Sequence, residues 1–197
     1  TVTVSGVDDL ADDGEVGYTI HVGPVAGSDG KYAAIDPADV SVINFDNDTA
    51  GVTIQWQTER RTTEAGGTAA FTVVLDTQPI GAVTIAVQSG NTAEGTVSPA
   101  LLTFTPQNWS SAQQVTVTGV DDDLDDGDAA YQVTVGPPGG GDPIYAALPA
   151  QQFSLANADD DEGLVVVDLG AVDFRRLEGL NPSAGELWYR LETSHAG

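Results

Sequence analysis

Shifting the sequence on itself by 113 positions superposes residues 2–48 on residues 115–161 without a gap, and 23 of those 47 positions are identical. This repeat is the strongest constraint on the fold, because both stretches have to form the same structural unit. Val-Thr-Val-Ser-Gly-Val-Asp-Asp at 2–9 returns as Val-Thr-Val-Thr-Gly-Val-Asp-Asp at 115–122. Asp12-Asp13-Gly14 returns as Asp125-Asp126-Gly127, Tyr18 as Tyr131, and Tyr32-Ala33-Ala34 as Tyr145-Ala146-Ala147. Residues 49–161 span one whole period, so residues 1–48 are expected to be the back half of a preceding copy, with the N-terminus inside a domain. A chain of 197 residues with no Met and no hydrophobic leader reads the same way, as a processed product or an excerpt.

Within the whole copy, apolar residues alternate with polar or small ones at period two, which puts them on one face of a strand. Val52, Ile54 and Trp56 share such a face, as do Phe71, Val73 and Leu75, and Val83, Ile85 and Val87. Leu102 and Phe104, Val115 and Val117, Tyr131, Val133 and Val135, and Phe153 and Leu155 continue the pattern. Seven short strands separated by Gly, Pro, Asn and Asp predict an all-β antiparallel sandwich. No stretch has helical periodicity, so an α/β enzyme scaffold is not expected. Pro137-Pro138 with the glycines at 139–141 reads as a surface loop, matched by residues 24–30.

The acids are concentrated. Of the 30 Asp and Glu, against 6 Lys and Arg, 17 fall in four runs: Asp8, Asp9, Asp12, Asp13 and Glu15; Asp46 and Asp48; Asp121, Asp122, Asp123, Asp125, Asp126 and Asp128; Asp159, Asp160, Asp161 and Glu162. Like charges about 4 Å apart repel by roughly 1 kcal/mol even in bulk water, so a fold that gathers them calls for a counter-cation. A loop run and a terminal run meeting at one sandwich end supply several carboxylate oxygens. That suits calcium, which takes six to eight oxygens in flexible geometry, better than magnesium or zinc. The loop is not an EF-hand, because counting from Asp121 puts Asp126 where the sixth-position Gly belongs and Gln132 where the bidentate Glu belongs. With so few cationic residues, nucleic acid and anionic membrane are not expected partners. No apolar run is long enough for a membrane span. The chain has no Cys, hence neither disulfides nor thiolate sites.

An ordered series of motifs carries a resemblance. Glu64-Ala65-Gly66-Gly67 precedes Phe71-Thr-Val-Val-Leu75; Gly95-Thr-Val97 and Leu102-Thr-Phe-Thr-Pro106 with Asn108-Trp109 follow. Next come the strand at 114–119, the acidic loop at 120–128 ahead of Tyr131, and Asn157-Ala-Asp-Asp-Asp-Glu-Gly163. Together they resemble the Calx-β domain and its bacterial surface-protein relatives. The resemblance implies tandem, elongated immunoglobulin-like antiparallel β-sandwiches: the C-terminal half of one repeat at 1–48 and a complete repeat at 49–163. It also implies a Ca²⁺ site formed by Glu64, Asp121, Asp122, Asp125, Asp126, Asp159, Asp160 and Asp161. The counterparts in the partial copy are Asp8, Asp9, Asp12, Asp13, Asp46, Asn47 and Asp48. The Asp that calcium-binding relatives often carry after the third strand is not evident, and Glu94 is the nearest acid. Residues 164–197, with a strand-like 164–169 and Arg175, Arg176 and Arg190, depart from the repeat. They resemble the opening strands of a pre-peptidase C-terminal type module, a third and different β module.

Catalytic constellations are hard to assemble. The two histidines are His21, read as lying on a strand, and His195, and no Ser-His-Asp set forms around either. Glu64 with an Asp as a glycosidase pair conflicts with ligation of the same acids. Trp56, Trp109 and Tyr131 as a sugar platform compete with a core role for Trp56 and Tyr131 and a plug at the sandwich end for Trp109. Asn47-Asp48-Thr49 and Asn108-Trp109-Ser110 are glycosylation sequons. The expectation is a non-enzymatic, calcium-stiffened rod or spacer of a large secreted or cell-surface protein, supporting adhesion or extracellular assembly. Its partners would be neighbouring domains of the same long chain, or identical chains in a fibre or surface layer joined by strand donation. An accessory region of a secreted hydrolase is the alternative.

Overall fold

The computed structural model describes residues 1–33 and 35–161. Glu162, the predicted strand at 164–169, His195 and the third module lie outside the described residues. In chain order the elements are β1 (Val16–Ile20), β2 (Val40–Asn44), β3 (Val52–Trp56), β4 (Arg61–Thr63), β5 (Thr68–Leu75), β6 (Val83–Ser89) and β7 (Gly95–Ser98). They continue with β8 (Leu101–Phe104), β9 (Gln113–Gly119), β10 (Ala129–Gly140), the helical turn α1 (Pro143–Ala146) and β11 (Gln151–Ala158).

From β3 onward the chain forms a β-sandwich with one sheet ordered β4-β11-β10-β6-β8 and the other β3-β5-β9-β7. The period-two residues point between the sheets. Phe71, Val73 and Leu75 of β5, Val83, Ile85 and Val87 of β6, Val115 and Val117 of β9, and Tyr131, Val133 and Val135 of β10 are all buried in one core with Leu102, Phe104 and Leu155. Each such side chain contributes about 1.5–3 kcal/mol on burial, an upper bound set by the extended-chain reference. Trp56 packs at the rim, with Phe71 at 4.7 Å and Phe153 at 5.6 Å between ring centroids, and the Arg60 guanidinium covers it at 5.3 Å. A platform role for its exposed face is therefore blocked by Arg60. Trp109 is half-buried against the core.

All seven predicted strands form. Two more escape the alternation rule. β4 carries only Arg and Thr, and β7 contributes a single apolar residue, Val97. The pairing is antiparallel except for β4 with β11, which is parallel because the chain crosses from one sheet to the other between β3 and β4. The expected loop at Pro137-Pro138 is instead the second part of β10: the register against β6 shifts between Val135 and Pro138, after which Pro138 faces Ile85 and Gly140 faces Val83. A bulge accommodates prolines that lack a ladder N–H, and Gly136 at φ 82° supplies the backbone turn. His21 falls one residue beyond β1, where its Nδ1 pairs with Asp39 Oδ2 at 2.7 Å in solvent.

The repeat is visible in the backbone. β1 and β2 pair Val16 with Asn44 and Tyr18 with Val42, and β10 and β11 pair Ala129 with Asn157 and Tyr131 with Leu155, the same register 113 residues on.

Candidate metal centre

The parallel pairing of β4 with β11 sets Thr63 beside Ala158, so the next residues along, Glu64 and Asp159, emerge together at one end of the sandwich. The Glu64 amide donates to the Ala158 carbonyl at 2.9 Å, continuing the ladder by one rung. Beneath this end lies a buried polar network. The Tyr131 hydroxyl donates to Thr62 Oγ1 at 3.0 Å, Thr62 Oγ1 donates to Asn157 Oδ1 at 2.9 Å, and Asn157 Nδ2 donates to the Val120 carbonyl at 2.8 Å. These contacts tie together the three chain segments that carry the acids: the turn after β4, the loop after β9 and the end of β11. Gly119 closes the arrangement, since a Cβ there would collide with the Thr63 carbonyl and the Asn157 side chain. Replacing Asn157 with Ala removes the acceptor of the Thr62 hydroxyl at 2.9 Å and the donor to the Val120 carbonyl at 2.8 Å, and is expected to cost about 2–4 kcal/mol in urea unfolding.

Glu64 is only 2 % exposed, an unusual position for a carboxylate. Its oxygens group with those of Asp121 and Asp160, and in a second set with Asp159 and Asp161, all within 4.8 Å of one another. Oxygens bound to one Ca²⁺ at about 2.3–2.6 Å lie no more than about 5 Å apart, so both sets satisfy that limit. The donors are carboxylates alone, which suits a hard cation. Among the described residues the ion pairs are His21 with Asp39 and Arg61 with Asp128, and neither neutralises these groups. Asp161 Oδ2 is buried without a hydrogen-bond partner.

Electrostatics separate the acids into two kinds. Backbone amides of Asp161 and Gly127 donate to Asp159 and hold its carboxyl below the usual carboxylate range. Burial pushes Glu64 up, reinforced by the charges of Asp159, Asp122 and Asp161, and burial with the charge of Asp159 pushes Asp161 up. A raised carboxyl destabilises the folded state while ionised, and that cost disappears as pH falls through the raised value. The stabilising bonds of Asp159 persist until pH drops below the usual carboxylate range. Chelator-treated protein is therefore expected to gain thermal stability as pH falls from neutrality toward that range and to lose it below, a sequence that scanning calorimetry reads directly.

The partial copy reproduces the local bonding. Asp46 Oδ2 accepts from the Gly14 amide at 2.7 Å as Asp159 Oδ2 accepts from Gly127 at 2.6 Å, and Asp46 Oδ1 accepts from Asp48 at 2.8 Å as Asp159 Oδ1 accepts from Asp161. Asp46 is held low by those amides, and Asp48 is pushed up by burial and by Asp46, Asp8, Asp9 and Asp12. Among the described residues no counterpart of Glu64 stands there, and both three-oxygen groupings contain Glu64. Asp12 Oδ2 accepts instead from the Ala50 amide at 2.7 Å, and the Leu10 carbonyl accepts from Gln78 at 2.7 Å, seating the first acidic loop on the following sandwich.

Of the acids named from sequence, the fold thus brings together Glu64, Asp121, Asp159, Asp160 and Asp161. Asp122 acts on Glu64 through its charge, and Asp125 and Asp126 belong to neither grouping. Glu94 is also outside them, although its carbonyl accepts from the Val120 amide at 3.1 Å where the acidic loop begins. Thr62 and Asn157 were not legible as positioning residues, although Asn157 matches Asn44 across the repeat.

No protein-family model matches the chain, and no curated protein sequence matches it. Solved structures give distant likenesses. SSP-19, an MSP-domain-like protein of Caenorhabditis elegans, is 14 % identical over 50 % of this chain and 92 % of its own, with a TM-score of 0.35. The apo form of the Calx CBD1 domain is 14 % identical over 55 % of this chain and 98 % of its own, TM-score 0.35. The surface layer protein SbsC, domains 1–6, is 16 % identical over 76 % of this chain and 20 % of that one, TM-score 0.34.

Proposed function

We propose that this chain is a non-catalytic, calcium-binding structural segment of a secreted or cell-surface protein, in which the cation joins one sandwich end to the adjoining unit of the chain. The supporting observation is the buried Glu64 carboxylate grouped with Asp159 and Asp161, with no cationic side chain paired to it among the described residues. In this reading Glu64, Asp121 and the terminal acids hold Ca²⁺, and the ion supplies the positive charge that lets the turn after β4, the loop after β9 and the end of β11 lie together. The bonds from Ala50 to Asp12 and from Gln78 to Leu10 are an example of such a loop engaging a neighbouring unit. Calcium at successive junctions would make the parent protein a stiffened rod or spacer, serving adhesion or extracellular assembly.

Extracellular calcium modules hold the ion at about 10⁻⁴–10⁻³ M. At 10 mM Ca²⁺ that affinity stabilises the folded state by roughly 1.4–2.7 kcal/mol, which raises the melting temperature of a unit this size by about 5–10 °C. Calorimetry with calcium and with chelator tests the reading. An unchanged melting temperature together with an unchanged scattering profile rejects it.

A further inference from the structure

Residues 2–48 match residues 115–161 in sequence and strand register, yet the two stretches stand in different surroundings. Val115 is fully buried whereas Val2 is 86 % exposed, and Tyr145 is 1 % exposed whereas Tyr32 is 57 % exposed. β9 lies between β5 and β7, while residues 2–6, its counterpart, pair with no strand among the described residues. β10 runs on past Val135 along β6, while β1 stops at Ile20. The Tyr145 hydroxyl donates to the Thr77 carbonyl at 2.8 Å and accepts from the Thr77 amide at 3.0 Å. In each case the covering element comes from residues 49–112.

A groove of about 420 Å³ beside β1 and β2 marks the same deficit. Its lining includes Tyr18, Asn44, Asp46 and Asp48. Their counterparts in the complete copy, Tyr131, Asn157, Asp159 and Asp161, are the residues that meet Thr62 of β4 and Glu64. The groove therefore lies where a second β4 and a second buried glutamate belong.

We infer that residues 2–6, β1 and β2 form a docking surface for a second front half-sandwich, a polypeptide with the strand pattern of residues 49–112 that enters at the residue 2 end as the chain's own front half enters β9. Counting excludes a second copy as the occupant. The described residues carry one front half and two back halves, so exchange of front halves between two copies of this stretch only moves the uncovered face from one back half to another. The occupant is one front half more than residues 49–112 supply.

Joining residues 49–113 ahead of Thr1 supplies that half in the connection the complete copy uses. Amide hydrogen exchange is the readout. Amides 3–5 of the extended chain are expected to slow by on the order of 100-fold or more relative to the 197-residue chain, toward the rates of amides 116–118. Unchanged rates at 3–5 overturn the inference. Val4→Asp in the extended chain is expected to abolish the new protection and spare amides 116–118; protection that survives shows the added segment seated elsewhere and also overturns it. Sedimentation of the 197-residue chain provides a check that needs no added segment. A monomer is expected, and a stable dimer in which amides 3–5 are protected refutes the counting argument.

Discussion

Glu64→Gln is expected to raise the melting temperature of chelator-treated protein and to remove most of its response to calcium. The two effects have one cause. Without a cation, the ionised Glu64 carboxylate is buried and repelled by Asp159, Asp122 and Asp161, and glutamine keeps its size and its acceptor for the Asp160 amide while deleting the charge. With a cation, that charge is the one that both three-oxygen groupings share. Calcium affinity is then expected to fall on the order of 100-fold, since affinity in such sites follows ligand charge. The acid-side gain in stability of the chelated protein should flatten as well, because Glu64 is one of the carboxyls held high. Titration calorimetry and thermal melts of the single variant decide the matter: lower stability in chelator with undiminished calcium binding contradicts the proposed role.

Val117→Asp and Val4→Asp replace the same residue of the repeat and are expected to differ by several kcal/mol. Val117 is fully buried between β5 and β7, with Ala69 opposite it on β5 and Val97 opposite it on β7. An aspartate there is charged with no partner, or protonated with unmet hydrogen bonds, and the cost of about 4 kcal/mol or more removes a large share of an ordinary domain's stability. Val4 is 45 % exposed, and the same change there is expected to stay within about 0.5 kcal/mol. Urea unfolding of both variants of the 197-residue chain gives the comparison. Equal losses would mean that residues 2–6 are covered in solution.

The contrast between these two valines also shows what sequence could and could not specify. Period two placed Phe71, Ile85, Val117 and Val133 in the core correctly, since alternation fixes which face a side chain takes once the strand is paired. It could not tell Val4 from Val117, because the difference lies in a partner strand and not in the local pattern. β4 was illegible for a related reason: Arg61-Thr62-Thr63 buries one hydroxyl, not an apolar face, and its pairing with β11 joins residues about 95 positions apart. The acids of the site were legible as runs, because charge density survives without a fold. Their division into amide-held Asp159 and desolvated Glu64 was not, since it depends on which backbone N–H groups point at which oxygen. Pro137 and Pro138 misled because prolines mark loops far more often than the bulge of a long strand.

The crossing between β3 and β4 has a mechanical consequence. It makes β4, near the start of the sandwich, a parallel neighbour of β11, its last strand. When opposite ends of the unit are pulled apart, tension reaching β4 drags it toward its own N-terminus while tension on β11 drags it toward its C-terminus. The rungs between them, including those from Glu64 to Ala158 and from Ala156 to Arg60, are then loaded in shear and must break together instead of unzipping one at a time. A carboxylate cluster bridging the same two strands sits directly on that line of force.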